Sequence, residues 1–322
     1  MANQTVKAGR QSSRSGKESL IERAAQRLGS EPVVARAFPK AASVVAPAVA
    51  VAADARAKSE SQPQSQPKTT PKPAPHTPSR RAVVDRDLLR RRGMVCPTGV
   101  RSRVAEEFRV LKRPLLVKAF RHGADAIRNG NMIMVVSARP DEGKTFTATC
   151  LAMSIAQERD THVLLVDTDF HRPALLSNLG LEAEKGLIDV IEDESMDLAD
   201  VLIRTDIEHL TILPAGKTHP MSTELLASER MGQITKELAQ RYPDRIIIFD
   251  TAPLLASSEA SVLCMYVGQI IFVVEAEKTS QDVIQAALEL IGSCENIGFV
   301  LNKARARHGN EYFGSYYSYH KP

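Results

Sequence analysis

Residues 138–145 have the types and spacing needed to hold a phosphate group. Their sequence, Ala138-Arg139-Pro140-Asp141-Glu142-Gly143-Lys144-Thr145, fits the pattern G/A-x-x-x-x-G-K-[ST]. Such a loop points backbone N–H groups at a phosphate, beside the positive N-terminus of the next helix. Gly143 permits close backbone approach, Lys144 can reach the β- and γ-phosphates, and the Thr145 hydroxyl can bind Mg²⁺. We predict a nucleotide-phosphate site over these residues and Phe146.

Three carboxylates follow apolar runs further along the chain. Asp167 and Asp169 end the run Val163-Leu-Leu-Val-Asp-Thr-Asp, and their alternate positions direct both side chains the same way. Beside a nucleotide they can bind Mg²⁺, orient it through water or accept a hydroxyl proton, although Asp169 can also cap the next helix. Asp250 ends a second run in the Walker B arrangement, in which the carboxylate meets the Mg²⁺ shell. Together with the loop, these residues predict binding of ATP and Mg²⁺.

The elements that must position these residues are alternating apolar strands and helices. From residue 131 onwards, apolar strand-like runs are separated by helical segments. This pattern predicts an α/β fold, a mostly parallel sheet with helices on both faces. In such sheets the functional residues lie at the carboxyl ends of the strands. Ahead of the sheet, residues 101–129 are predicted to be helical, with Pro114 either kinking the helix or dividing it in two.

The N-terminal residues differ in composition from the rest. Residues 1–95 contain 18 Lys and Arg against 7 Asp and Glu, and residues 31–80 contain nine of the 18 prolines. We therefore predict a basic, largely disordered region over 1–95 with a short helix near 19–29, an α/β domain over 96–305 and a flexible, tyrosine-rich tail over 306–322. The basic run 85–95 is interpreted as a solvated charge cluster, with contact to anionic lipid headgroups as the alternative.

Composition excludes several classes of protein. No run approaches the length of a membrane-spanning helix, and the first 20 residues lack the apolar core of a signal peptide. The four cysteines lack the paired spacing of a zinc ribbon or a disulfide framework. Since Trp is absent and aromatic residues make up only 5%, we expect no nucleic-acid partner.

The tail concentrates tyrosine. Four of the six tyrosines, Tyr312, Tyr316, Tyr317 and Tyr319, lie within the last eleven residues. Burial in the core is a poor explanation for tyrosines in a flexible tail. Two interpretations remain, aromatic docking on a neighbouring molecule and a cluster of phosphate acceptors.

The motifs together resemble those of the bacterial tyrosine kinases, relatives of the MinD/ParA partition ATPases. Residues 137–145 look like the family's S-x-x-P-G-E-G-K-[ST], and residues 167–173 are similar to its D-x-D-x-R-x-P. Glu106, Arg109 and Lys112 look like its assembly motif E-x-x-R-x-x-R. The resemblance covers about residues 101–322.

The resemblance implies a P-loop fold of the MinD/ParA type and a particular set of roles. Asp167 would accept the tyrosine proton, Asn302 would contact the adenine edge, and Glu106, Arg109 and Lys112 would help to form a homo-oligomeric ring. The tail tyrosines would enter the active site of the adjacent subunit, and phosphates added there would repel an acidic pocket.

The N-terminal segment resembles one subgroup, the kinases of exopolysaccharide loci associated with exosortase systems. This implies a cytoplasmic protein held at the inner membrane through a partner. That partner would be a transmembrane chain-length-determinant protein, also called a polysaccharide co-polymerase, acting as the activator. A cognate tyrosine phosphatase is a further implied partner.

Some residues depart from the family pattern and keep two alternatives open. Asp141 stands where many members have Gly, and His171 occupies a position that is often fully charged. One alternative is a MinD/ParA-like regulatory ATPase that controls assembly at the membrane, which accounts for the loop but not for the tyrosines. The other is a nucleotide-sensing scaffold without catalysis, with which Asp141 is compatible.

Overall fold

A computed structural model describes residues 81–97, 102–241, 244–292 and 294–305. The predicted helix near 19–29, the proline-rich linker and the tyrosine tail lie outside the described residues. Within them, the expected alternation of strand and helix is confirmed.

Eight strands form one sheet in the order β1-β4-β5-β3-β6-β2-β7-β8. The strands are β1 (Arg81–Ala82), β2 (Met132–Ser137), β3 (His162–Thr168), β4 (Ile203–Thr205), β5 (Leu210–Leu213), β6 (Arg245–Thr251), β7 (Gln269–Glu275) and β8 (Ile297–Asn302). All neighbouring strands are parallel except β4 and β5, which are antiparallel. The predicted mostly parallel sheet is therefore confirmed.

Helices cover both faces of the sheet. They are α1 (Arg86–Arg91), α2 (Arg103–Ala119), α3 (Lys144–Ile155), α4 (Leu175–Leu179), α5 (Leu187–Glu192), α6 (Leu198–Val201), α7 (Ser222–Leu226), α8 (Glu229–Arg241), α9 (Glu259–Leu263) and α10 (Gln281–Glu289). Alternate residues of the central strands enter two separate apolar cores, one on each face. Every residue of β2 is buried, which explains why its sequence is apolar throughout.

The strand order brings the three predicted motifs together. β6 lies between β3 and β2, and the three strands are parallel, so their carboxyl ends are adjacent at the same end of the sheet. Asp167 of β3 is directly opposite Asp250 of β6, and Val135 of β2 is opposite Asp250 on the other side. The phosphate loop begins where β2 ends. Residues separated by more than 80 positions therefore meet at one site.

Residues 81–97 belong to the folded domain, which corrects the predicted boundary at residue 96. β1 pairs with β4, and Val84, Leu89, Met94 and Val95 are buried against the core. The backbone N–H of Asp85 donates to the Leu179 carbonyl oxygen at 3.0 Å. The sequence prediction was wrong because the order of this segment comes from packing against distant residues, which its basic composition does not indicate.

The same segment shows how a basic run can pack. Arg90 and Arg91 of α1 have largely exposed side chains, whereas Leu89 immediately before them is completely buried. Arg86 forms an ion pair with Asp206 at 2.8 Å, and the N–H of Val84 donates to the same carboxylate. The run is thus an amphipathic helix bound to the domain, with a charged outer side.

The helix ahead of the sheet is shorter than predicted. α2 continues through Pro114 without a break and ends at Ala119, ten residues before the predicted end. Pro114 cannot donate to the carbonyl four residues earlier, that of Val110. Val110 is exposed, so water can satisfy that carbonyl. Among the described residues, no helix combines the length and apolar character needed to cross a membrane.

We expect Leu89→Ala to lower the free energy of unfolding by about 2–4 kcal/mol, because the side chain is fully buried. Chemical denaturation followed by circular dichroism measures this. Val83→Ala, a truncation at a 70% exposed position, is the matched control and should change stability by less than about 0.5 kcal/mol. Equal effects of the two substitutions would show that the segment does not pack on the domain.

Candidate active site

The phosphate loop has a backbone conformation that requires glycine at one position. Gly143 has a φ of 98° and is the N-cap of α3. A Cβ at this position would lie 2.0 Å from the side-chain nitrogen of Asn302. Any other residue would therefore be strained and would also collide with Asn302. The loop delivers its chain directly into the N-terminus of α3, where anions bind favourably.

Side chains from the ends of β7 and β8 support the loop from outside. Asn302 donates to the carbonyl oxygen of Glu142 at 2.8 Å, and Lys303 donates to that of Asp141 at 2.6 Å. The buried carboxylate of Glu142 accepts from the N–H of Arg139 at 2.8 Å and from the Thr279 hydroxyl. The predicted Asn302 is thus beside the loop, where its side-chain nitrogen is engaged with the loop backbone. Its contact with adenine stays a prediction.

Lys144 is paired with a carboxylate. Its Nζ lies 3.1 Å from Oδ2 of Asp169, and both side chains are almost fully buried. Oδ1 of Asp169 accepts from the N–H of Arg172 at 3.0 Å. Asp169 therefore holds the lysine and also shapes the loop that follows β3. A phosphate that binds Lys144 must exchange with this carboxylate.

Asp250 is a buried carboxylate whose charge is opposed by the Lys144 ammonium and the Thr145 hydroxyl. Neither of its side-chain oxygens accepts a hydrogen bond from a described residue, and it is 1% exposed. Burial raises the pKa of Asp250 to about 7, while Lys144 and the nearby Thr145 hydroxyl act in the opposite direction. Such a group is costly unless a cation is bound beside it.

Asp167 lies directly beside Asp250 on the neighbouring strand. Burial raises its pKa well above the usual value, and the charge of Asp250 raises it further. Its two oxygens accept from the backbone N–H groups of Asp169 and Leu175, at 3.1 and 3.3 Å. A raised pKa makes the ionised carboxylate a stronger base. This fits the predicted role of proton acceptor, which stays a prediction.

The donor set fits Mg²⁺ bound together with a nucleotide. No group of three or more His, Cys, Asp or Glu side chains forms a metal site within the described ranges. Mg²⁺ at phosphate-transfer sites, however, is usually held by one or two carboxylates, waters and the substrate phosphates. Thr145, Asp169 and the unpartnered Asp250 would supply the protein ligands of such a site.

A cleft of about 800 Å³ lies over these residues. Of the predicted nucleotide site, its lining includes Pro140, Asp141, Gly143, Lys144, Thr145 and Phe146, together with Asp169. Asp167 and Asp250 lie deeper, each 1% exposed, and Ala138 is also completely buried. The structure therefore brings the predicted residues to one place, in two layers.

Other lining residues were not assigned to the site from the sequence. The lining also includes His171, Arg172, Ala174, Ala252, Pro253, Ala256, Ser257 and Lys303. His171 and Arg172 lie within the motif of residues 167–173, so the sequence could have assigned them to the site. Ala256 and Ser257 follow Asp250 by six and seven residues, in a stretch without a charged or periodic pattern that could have marked them.

The three residues of the predicted assembly motif have different surroundings. Glu106 and Arg109 are paired with each other on a partly exposed part of α2. Lys112 is 6% exposed, donates to the Ser154 carbonyl oxygen at 2.6 Å and lies 2.6 Å from the Glu158 carboxylate. Lys112 is thus engaged inside its own chain, and Glu106 and Arg109 are the more accessible members of the motif. Their part in assembly stays a prediction.

Comparison with known proteins finds a matching family model and relatives that are named tyrosine-protein kinases. A family model described as an AAA domain matches residues 130–302. The tyrosine-protein kinase YwqD of Bacillus subtilis is 28% identical over 223 residues, which cover 69% of this chain and 90% of that protein. The tyrosine-protein kinase wzc of Salmonella typhimurium is 29% identical over 203 residues, 62% of this chain but only 27% of the longer protein.

A solved structure agrees with these relatives. The kinase domain of the Escherichia coli tyrosine kinase ETK matches with a TM-score of 0.54 and 27% identity. The match covers 63% of this chain and 78% of that one. These two relatives and this solved structure are all tyrosine kinases by name, which agrees with the family that the motifs resemble.

The raised pKa of Asp250 leads to a stability prediction. In the unfolded chain this group ionises near pH 4, and in the folded protein only near 7. Its ionisation therefore costs stability progressively from pH 4 to 7, and the full penalty persists above 7. We expect Asp250→Asn to raise the free energy of unfolding of the nucleotide-free protein by on the order of 2 kcal/mol at pH 8, and by little at pH 4.

Urea denaturation across this pH range measures the effect. The control Asp160→Asn, at an exposed position, should follow the wild-type pH profile. If Asp250→Asn were less stable than the wild type at pH 8, Asp250 would not be the destabilising group that its surroundings indicate.

Asp141 leads to a prediction about nucleotide affinity. Its φ of 64° is a conformation that Gly adopts freely and most residues do not, and its carboxylate borders the cleft. We expect Asp141→Gly to stabilise the protein by about 0.5–1 kcal/mol and to tighten MgATP binding about fivefold.

Asp141→Asn separates the two causes, since Asn loses the charge but gains no backbone freedom. It should tighten binding, measured by calorimetry, without a comparable rise in melting temperature. Unchanged affinity in both variants would mean that the Asp141 charge does not reach the phosphates.

Proposed function

Since this chain belongs to the AAA-domain family, and its relatives identify it as a bacterial tyrosine-protein kinase, we propose that it phosphorylates the tyrosines of its own C-terminal tail. The acceptors would be Tyr312, Tyr316, Tyr317 and Tyr319, presented to the active site of a neighbouring copy. The observation that supports this best is the paired Lys144 and Asp169 beside the unpartnered Asp250, at the base of a cleft large enough for a nucleotide.

The proposed reaction is a direct transfer of the γ-phosphoryl group of ATP. The bond between the γ-phosphorus and the β–γ bridging oxygen breaks, and a bond forms from the tyrosine oxygen to the same phosphorus. ADP leaves, and the tyrosine proton passes to the carboxylate of Asp167. Phosphoryl transfer requires mainly positioning and neutralisation of charge, so no covalent intermediate with the protein is needed.

Each residue has a defined task in this scheme. The loop N–H groups up to Thr145 and the N-terminus of α3 bind the phosphates, while Lys144 exchanges Asp169 for the γ-phosphate. Thr145 and Asp250 would hold Mg²⁺, and Asp169 would contribute through water. The metal supplies charge neutralisation on the phosphate oxygens.

We place this activity in the control of exopolysaccharide polymerisation and export. The proposed arrangement is a ring of copies in contact through Glu106 and Arg109 of α2, at the cytoplasmic side of the inner membrane. A transmembrane chain-length-determinant protein would bind and activate the kinase, and a tyrosine phosphatase would reverse the modification. The support is the resemblance of the N-terminal segment to kinases of such loci.

The first test is an intact-mass time course of the full chain with MgATP. We expect stepwise additions of phosphate in the wild type and none in Lys144→Met, because that variant loses the charge that binds the transferred group. Lys236→Met, at an exposed position of α8, should behave as the wild type. A variant with all four tail tyrosines replaced by Phe should gain no phosphate.

Mixing two variants tests transfer between copies. Lys144→Met, inactive but with an intact tail, is incubated with the active protein that carries the four Phe replacements. Phosphate on the Lys144→Met copy supports transfer in trans. If the wild type gains no phosphate, either alone or with the cytoplasmic segment of its membrane partner, the result would favour a regulatory ATPase.

A further inference from the structure

A buried glutamate outside the proposed catalytic set lies next to the cleft. Glu259, the first residue of α9, has no exposed surface. Its Oε1 accepts a hydrogen bond from the Ser222 hydroxyl and lies 3.5 Å from Nε2 of His171. Its Oε2 is buried without a hydrogen-bond partner among the described residues. Burial raises the pKa of this carboxyl and the charge of Asp169 adds to the rise, against the opposing effects of Ser222, His171 and Ser257.

Stability alone does not explain an acidic residue here. A buried carboxylate with one unpartnered oxygen costs free energy, and an uncharged side chain of the same size avoids that cost. Nor is Glu259 the only link between α7 and α9, because the hydroxyls of Thr223 and Ser258 lie 3.3 Å apart beside it. The charge must therefore be explained by the group that it faces, which is the His171 imidazole.

The position of His171 connects this carboxylate to the reaction. His171 and Arg172 follow Asp169 in the loop after β3, and both line the cleft. Ala256 and Ser257, which precede Glu259 in the chain, line the cleft as well. Glu259 thus joins two chain segments that form the part of the cleft wall outside the phosphate loop.

We propose that Glu259 is a positioning residue, which holds the His171 imidazole and the 252–258 segment in the arrangement that receives the acceptor tyrosine. With Nε2 directed at Glu259, the ring presents Nδ1 as its remaining polar atom. The orientation of the ring, and with it the shape of the acceptor side of the cleft, depends on the buried charge. This inference rests on the proposed tyrosine kinase function.

The closing experiment separates acceptor use from nucleotide use. The full chain with its four tail tyrosines replaced by Phe serves as the enzyme, and a synthetic peptide of residues 309–322 serves as the acceptor. For Glu259→Gln we expect kcat/KM for the peptide to fall about tenfold, while KM for ATP stays within twofold of its original value. The melting temperature should be equal or higher, since a costly buried charge is removed.

Two further variants connect the effect to His171. His171→Gln should lower kcat/KM for the peptide to a similar degree, and the double variant should show no additional loss, because the two residues act through one contact. Glu224→Gln, the same substitution at an exposed position of α7, should leave all three quantities unchanged.

The outcomes distinguish this inference from the function on which it rests. If the enzyme with intact Glu259 does not phosphorylate the peptide, the proposed choice of acceptor fails. If it does, and Glu259→Gln retains full peptide kinetics, loses stability or raises KM for ATP as much as it impairs the peptide, then Glu259 is not a positioning residue for the acceptor. Additive losses in the double variant would equally overturn the link to His171.

Discussion

Negative charge buried at the ends of two adjacent strands is the constraint on which the site depends. Asp167 and Asp250 face each other across β3 and β6, with Asp169 just beyond, and the burial of the first two raises their pKa values. Only Lys144 opposes this charge with a close ion pair in the described site. Such an arrangement favours a bound cation, and the protein stability given up here is recovered when metal and nucleotide bind.

Several parts of the fold serve to keep this charged group in place. The loop that carries Lys144 is supported by Asn302 at the end of β8, by Lys303 just after it and by Thr279, which follows β7. Asp167 is held by the N–H of Leu175 at the start of α4, and the other end of α4 is held by Asp85. The segment that precedes α2 therefore contributes indirectly to the position of a carboxylate in the active site.

The central sheet and the nucleotide residues could be predicted because local sequence determines them. Apolar runs ending in Asp167 and Asp250, and a loop with Gly143 and Lys144, have few structural solutions. Packing against distant residues could not be predicted in the same way. The burial of Leu89 depends on the faces of α4 and β4, and the internal pairing of Lys112 depends on Glu158. Glu259 gave no signal, because a single Glu in a short polar segment is ordinarily exposed.

The strand order also separates the two ends of the described chain. β1 and β8 are the opposite edge strands of an eight-stranded sheet, and seven interstrand spacings amount to roughly 34 Å. The described chain begins in β1 and ends just after β8, where Asn302 and Lys303 contact the phosphate loop. A macromolecule that contacts the β1 edge and one that contacts the β8 edge would therefore meet opposite sides of the sheet.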